Sequence, residues 1–199
     1  MNAQCIEWGV ASLTMPGQSQ SGDRYVVHPC LNGVMVAAID GLGHGQEAAR
    51  AADLAATILT KHAQESMIAI VKRCHAQLRA TRGVVMSLAV INAVEGDLTW
   101  MGVGNVGGVV VRAAASASPR QESLLLRSGV LGNQLPSLHA SIIPILRGDT
   151  LILVTDGVRS NFADVVSVSD PPQLIANRIL AEYSKALDDA LVLVARYLN

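Results

Sequence analysis

Aspartates placed where apolar runs begin or end are the residues of this chain best suited to do chemistry. The run Val34–Ile39 stops at Asp40-Gly41-Leu42-Gly43-His44-Gly45, and Thr150–Val154 leads into Thr155-Asp156-Gly157. Leu187-Asp188-Asp189-Ala190 opens the last apolar run, and Asp23 lies in Ser21-Gly22-Asp23-Arg24-Tyr25. Taken singly, each reads as an ordinary turn, because Asp-Gly is a favoured turn pair. Brought together at one end of a sheet, several carboxylates would repel each other and raise their own pKa values. Divalent cations remove that penalty, and hard oxygen ligands select Mg²⁺ or Mn²⁺ over zinc. A glycine beside the aspartate lets carbonyls and waters come close to an ion.

Two other patterns invite chemistry. Gly102-Val103-Gly104-Asn105-Val106-Gly107 matches the spacing of a dinucleotide fingerprint. That fingerprint needs a helix directly after it to receive a pyrophosphate, and Gly108-Val109-Val110-Val111 reads as a strand, so a hairpin turn is expected instead. Gly41–Gly45 lies between a strand and a helix and could cradle a phosphate, but Asp40 at its mouth would repel one unless a cation intervened. Cys5, Cys30 and Cys74 are far apart, without zinc spacing or a neighbour that would make a nucleophile.

These residues need strands to carry them. Ile6–Leu13 reads as the first strand, followed by a polar loop over Thr14–Arg24, and Val34–Ile39 reads as a strand buried on both faces. From Gln46 the apolar period becomes helical for about four turns, and Ser66 can start a second helix with Ile70, Cys74 and Leu78 on one face. Val84–Asn92 and Leu98–Val103 form strands around Glu95-Gly96-Asp97, followed by Val109–Arg112, Ser123–Arg127, Ser141–Leu146 and Thr150–Val154. Asp170 is the expected cap of a helix with Pro171 at its first position, and Leu191–Tyr197 is the final strand. Tight turns between successive strands predict mainly antiparallel pairs and the α+β class.

Composition narrows the function. Half of the 199 residues are hydrophobic but only 3% are aromatic, and 16% are charged. Such a chain builds an aliphatic core as one domain over residues 1–199. A formal net charge of −1 gives no field for nucleic acid or an anionic membrane. Met1 to Gly9 carries no basic residue and no long apolar run, so no secretory signal is expected. The default is a cytoplasmic monomer that binds neither nucleic acid nor membrane.

The motif set as a whole resembles the PPM (type-2C) metal-dependent protein phosphatases, in the bacterial branch of sporulation and stressosome phosphatases. The resemblance rests on Asp40-Gly41-x-Gly43-His44-Gly45, Thr155-Asp156-Gly157 and Asp188-Asp189-Ala190, with Thr81-Arg82-Gly83 and Gly102–Val106 pointing to the stressosome type. It spans about Gly9 to Arg196. It implies a four-layer αββα sandwich, two mainly antiparallel sheets flanked by helices, with two Mn²⁺ or Mg²⁺ ions at one end. It also implies roles: Asp40 bridging both ions, the Gly41 carbonyl on the first, Asp156 and Asp188 on the second, and Asp23 orienting water. Asp189 stays open as the rival of Asp188. The implied reaction is two-metal attack of activated water on phosphoserine or phosphothreonine. The implied substrates are phosphorylated STAS-domain proteins of a stressosome. The alternatives are a phosphorylated anti-sigma-factor antagonist as substrate, or a non-catalytic phosphoprotein-binding module.

Departures from the family pattern shape the expected site. Gln18 stands where many relatives have a phosphate-gripping arginine, with Arg24 as a substitute or a structural residue. Leu42 follows Asp-Gly in place of a histidine, leaving His44 as a candidate proton donor. Asn105 and Ser160 stand where acids build a third metal site in many relatives. Only Leu131–His139 and Asn161–Asp170 are available as covering elements, so an open site is expected.

Overall fold

The computed structural model describes residues 5–199; the first four residues of the segment read above for a signal lie outside them. One sheet contains, in spatial order, β1 (Ile6–Leu13), β11 (Ala190–Tyr197), β10 (Thr150–Val154), β6 (Gly107–Val111) and β7 (Gln121–Ser123). The other runs β2 (Asp23–Cys30), β3 (Gly33–Gly41), β4 (Val84–Asn92), β5 (Asp97–Val103) and β8 (Leu126–Arg127), with β9 (Ser141–Pro144) also paired to β5. Among these described strands every pairing is antiparallel except β5 with β8. Helices α1 (Gln46–Lys61) and α2 (Met67–Gln77) follow β3, and α3 (Pro172–Tyr183) precedes β11.

Side-chain alternation along the central strands generates the layers. On β3, Met35, Ala37 and Ile39 face α1 and α2, meeting Ala52, Ala55, Leu59, Ile70 and Cys74. The intervening Val34, Val36 and Ala38 face the second sheet. On β11, Leu191, Leu193 and Ala195 fill the space between the sheets, whereas Val192 and Val194 meet Ile175 and Ile179 of α3. Period-two alternation with both faces apolar is why these strands read as unbroken hydrophobic runs. The result is the αββα sandwich expected from the sequence.

Several local expectations change. Asp23–Cys30 is a strand, although Thr14–Arg24 read as loop and no strand was expected over Tyr25–Cys30. It is an edge strand paired only with β3, so Pro29 costs no ladder bond and the alternation is blurred by exposure. The Gly104–Val106 turn is not a hairpin: β5 and β6 lie in different sheets, and Arg147-Gly148-Asp149 likewise passes from β9 to β10 across the sandwich. Ser123–Arg127 splits at Leu124-Leu125, its ends serving β7 and β8 in opposite sheets. Ser141–Leu146 shortens to Ser141–Pro144. The third helix is capped by Pro171 without a side-chain bond; Asp170 instead accepts from Arg178.

Helix α3 lies very close to β1. A Cβ added to Gly9 would stand 2.4 Å from the backbone Cα of Gln173, whose side chain also bonds the Val10 amide and carbonyl. Gly9→Ala is therefore expected to destabilise the protein by about 1–3 kcal/mol through overpacking, read as a lower urea midpoint with an unchanged slope.

Candidate metal centre

The strand registers bring the aspartates to one end of the sandwich. Asp23 opens β2 directly opposite Asp40 at the close of β3. In the other sheet Val154, the last residue of β10, pairs with Val192 near the start of β11, which places Asp156 beside Asp188 and Asp189. One hydrogen bond joins the sheets there, and a second anchors its donor within its own sheet. The Thr155 hydroxyl donates to the Asp23 carboxylate over 2.7 Å, and the same oxygen accepts from the Leu191 amide over 2.8 Å.

An open cavity of about 600 Å³ lies at this junction. Asp40, Asp156 and Asp188 line it, together with Leu42, Gly43, His44, Gly104 and Asn105. Asn105 donates its side-chain amide to Asp156 over 2.8 Å, and the Lys185 ammonium donates to the Asp156 backbone carbonyl. Asp189 has a different setting. It is buried, and its two oxygens accept from the Met15 amide at 2.8 Å and the Gly22 amide at 2.7 Å, so it fastens the 15–22 loop. Asp23 is buried and is not among the residues that line the cavity.

Glycines make the close approaches. A Cβ on Gly41 would lie 2.1 Å from the Ala48 carbonyl oxygen of α1, and one on Gly157 would lie 1.9 Å from the Asp189 carbonyl oxygen. Neither position has room for a side chain. Arg24 does not serve the cavity. It is bound to Asp53 of α1 and to the carbonyls of Ser21 and Asp23. Of the expected covering elements, Asn161–Asp164 edges an adjoining groove that shares Asn105 and Asp156 with the cavity, while Ser128, Gly129, Val130 and Leu187 form the near walls. Sequence reasoning missed the roles of Thr155 and Lys185, and only the threonine, inside the Thr-Asp-Gly motif, carried any signal.

The electrostatics fit a cation. Burial, followed by the neighbouring carboxylates of Asp23, Asp156, Asp188 and Asp189, pushes Asp40 up to about 8. Asp23 rises to about 7, mainly through burial, against the opposing hydrogen bond from Thr155. Asp188 is also raised, by burial and then by Asp156. Among the described residues no three His, Cys, Asp or Glu side chains are already closed around one point. The cavity instead presents spaced carboxylates, the arrangement suited to Mg²⁺, which keeps much of its water and takes few protein ligands. The donors are all hard oxygens, so the residues present fit a divalent ion of that kind.

Comparison with known proteins follows the same line. Residues 32–198 match the family described as Stage II sporulation protein E (SpoIIE). The chain belongs to the SpoIIE family. It is a phosphatase domain of the PP2C type, a metal-dependent class. It is 28% identical over 164 residues to phosphoserine phosphatase RsbX of Bacillus subtilis (strain 168), covering 81% of this chain and 78% of that protein. A solved chain from work on the bacterial stressosome superimposes with a TM-score of 0.87 at 27% identity, covering 96% of this chain and 99% of its own. RsbX in complex with magnesium gives 0.85 at 22% identity, covering 99% and 98%, and supports the fold. Among the described residues no helix of this SpoIIE-family chain is long and apolar enough to cross a membrane.

The raised carboxylates give a pH dependence with a definite sign. Folded Asp23 and Asp40 hold protons up to about 7 and about 8, whereas the unfolded groups release them near the ordinary aspartate value of 3.8. Between those limits the folded state binds more protons, so stability falls as pH rises. EDTA-treated protein should therefore melt at progressively lower temperature from pH 5 to pH 8. The fall should be shallower in Asp40→Asn, as read by thermal unfolding across that range.

Proposed function

We propose that this chain removes phosphate from serine or threonine on STAS-domain proteins of a stressosome, using two Mn²⁺ or Mg²⁺ ions, in the cytoplasm. The observation that carries the reading is the convergence of Asp40, Asp156 and Asp188, drawn from both sheets, on one open cavity. Its likeness to RsbX and to a chain from stressosome work supports the choice of substrate.

In this reading Asp40, the Gly41 carbonyl, Asp156 and Asp188 would hold the two ions, with Asp40 contributing to both. Ions bound there would supply an activated water for attack on phosphorus and offset charge on the phosphoryl oxygens. A bond forms from the water oxygen to phosphorus as the phosphorus–serine oxygen bond breaks, and the proton released by the water balances the one taken up by the serine oxygen. The protein's own groups set the geometry. Asp23, fixed by Thr155, orients water at the cavity wall, and Asn105 holds one oxygen of Asp156 in place. Asp189 holds the 15–22 loop and leaves Asp188 as the metal-facing member of the pair. The shallow cavity suits a phosphoserine that protrudes from a folded partner. Such a site leans on docking for selectivity.

Hydrolysis of p-nitrophenyl phosphate should require Mn²⁺ or Mg²⁺ and stop with EDTA, and Asp40→Asn should abolish metal binding and nearly all activity. Asp188→Asn should weaken Mn²⁺ binding in a calorimetric titration, whereas Asp189→Asn should chiefly lower the melting temperature. The reverse pattern would exchange the two roles. A protein that binds no Mn²⁺ in the micromolar range and hydrolyses nothing would be a binding module instead.

The substrate is tested by incubating the protein and Mn²⁺ with a phosphorylated stressosome STAS protein and, separately, a phosphorylated anti-sigma-factor antagonist. Loss of phosphate on intact-mass spectra is expected from the first. Preference for the second would move the enzyme to the sporulation type, and loss from unrelated phosphoproteins alone would refute the stressosome assignment.

A further inference from the structure

We infer that Arg82 is the residue that grips the substrate's phosphate at the mouth of the aspartate cavity. The inference rests on the phosphatase reading above but concerns a contact outside the metal ligands. A phosphate approaching a cavity walled by three carboxylates gains from a guanidinium at the rim, which can form paired charge-assisted hydrogen bonds. Gln18 cannot supply that charge. Its side-chain oxygen rests 2.6 Å from the position a Gly45 Cβ would take, at the start of α1. Arg24 is already engaged by Asp53, and Lys185 by the Asp156 carbonyl.

Arg82 is held where such a group is needed. The Thr81 hydroxyl donates to the Leu78 carbonyl and accepts from the Gly83 amide, and the Gly83 carbonyl accepts from the Leu42 amide over 3.1 Å. This ties the 81–83 segment to the loop that follows Asp40. From there the guanidinium reaches Gly43, a cavity residue, end-on through one terminal nitrogen. One of its terminal nitrogens stands 2.7 Å from where a Gly43 Cβ would be, and Gly43 has a φ of +87°. Glycine at 43 thus serves two ends, the left-handed turn and the space for the guanidinium.

The partner of Arg82 is easily exchanged. Its Nε bonds Glu47 over 2.7 Å, with the side chains 49% and 67% exposed. Ion pairs this exposed contribute little, so a phosphate can replace the carboxylate without large loss. Arg82 also lines a second cavity of about 470 Å³, with Glu47 and Arg50 on its wall. Because one terminal nitrogen already lies against Gly43, which lines the metal-facing cavity, release from Glu47 lets the side chain turn toward it. Arg127 makes a useful contrast. It also precedes cavity residues, Ser128 and Gly129, but its neighbour Leu126 packs between the sheets, so alternation sends Arg127 to the opposite face.

The test is calorimetric titration of orthophosphate into the Mg²⁺-loaded full chain, with metal affinity and melting temperature measured alongside. Arg82→Ala should weaken phosphate binding about tenfold, the scale of one charged hydrogen bond, with metal affinity and melting unchanged. Arg82→Lys should recover part of the loss, and Arg127→Ala, which removes the same charge, should stay within about twofold of wild type. In turnover, Arg82→Ala should raise KM with kcat nearly unchanged. Equal phosphate affinity in wild type and Arg82→Ala, equal losses in Arg82→Ala and Arg127→Ala, or no phosphate binding by the wild type at millimolar concentration would each overturn the assignment. Arg82-dependent phosphate binding in a protein that hydrolyses nothing would remove the phosphatase reading and leave this one standing. Normal Mn²⁺-dependent turnover that is indifferent to Arg82 would do the reverse.

Discussion

The hydrogen-bond relay from Asp23 through the Thr155 hydroxyl to the Leu191 amide is the constraint on which the site depends. Asp23 belongs to one sheet and Thr155 and Leu191 to the other, so the relay sets how the two sheet ends meet. Both of its polar groups are buried, which makes an unmade bond there costly, about 1–3 kcal/mol for a neutral group and more for a charged one. Aliphatic packing between the sheets holds them together but is non-directional. The relay adds the direction. It brings Asp40 from the sheet of β2 and β3 into the same cavity as Asp156 and Asp188.

Around that relay each acidic residue has a different share of water and of donors. Asp189 accepts from two backbone amides, Asp23 from a hydroxyl, and Asp156 from an asparagine amide. Asp40 has burial and neighbouring negative charge as its main influences, and it is the most strongly raised of the set. A group so placed is the one whose charge is most relieved by a cation. This ordering follows from backbone geometry. The residues are chemically identical aspartates, separated only by what stands behind them.

The sequence was legible where periodicity is strong. Val34–Ile39, Val84–Asn92 and the alanine-rich helix from Gln46 all lie where the hydrophobic pattern puts them, because both faces of the strands are buried. It was poorly legible at β2, where Tyr25 is exposed and Pro29 interrupts, and where pairing on one side only is enough to hold the strand. The Gly104–Val106 turn misled for another reason. A tight glycine turn looks the same whether the chain returns to its own sheet or crosses to the next, and only the register of β6 on β10 decides. The candidate site was visible as acids at strand ends. The distinct settings of Asp188 and Asp189 were not, since they depend on the amides of Met15 and Gly22, some 170 residues distant in the chain.

Since Asp40 and Asp156 come from opposite sheets, an ion held by both is also a clasp across the sandwich. Under the proposed function, free cation would then act on the lifetime of the protein as well as on its chemistry. A ligand that binds only the folded chain adds about 2.7 kcal/mol at a hundred times its dissociation constant. Shifts of that size change how often a chain opens and meets a protease. Scarcity of the cation would thus lower both the activity of each molecule and the number of molecules, making the phosphatase pool steeper in its response to ion supply than binding alone would be.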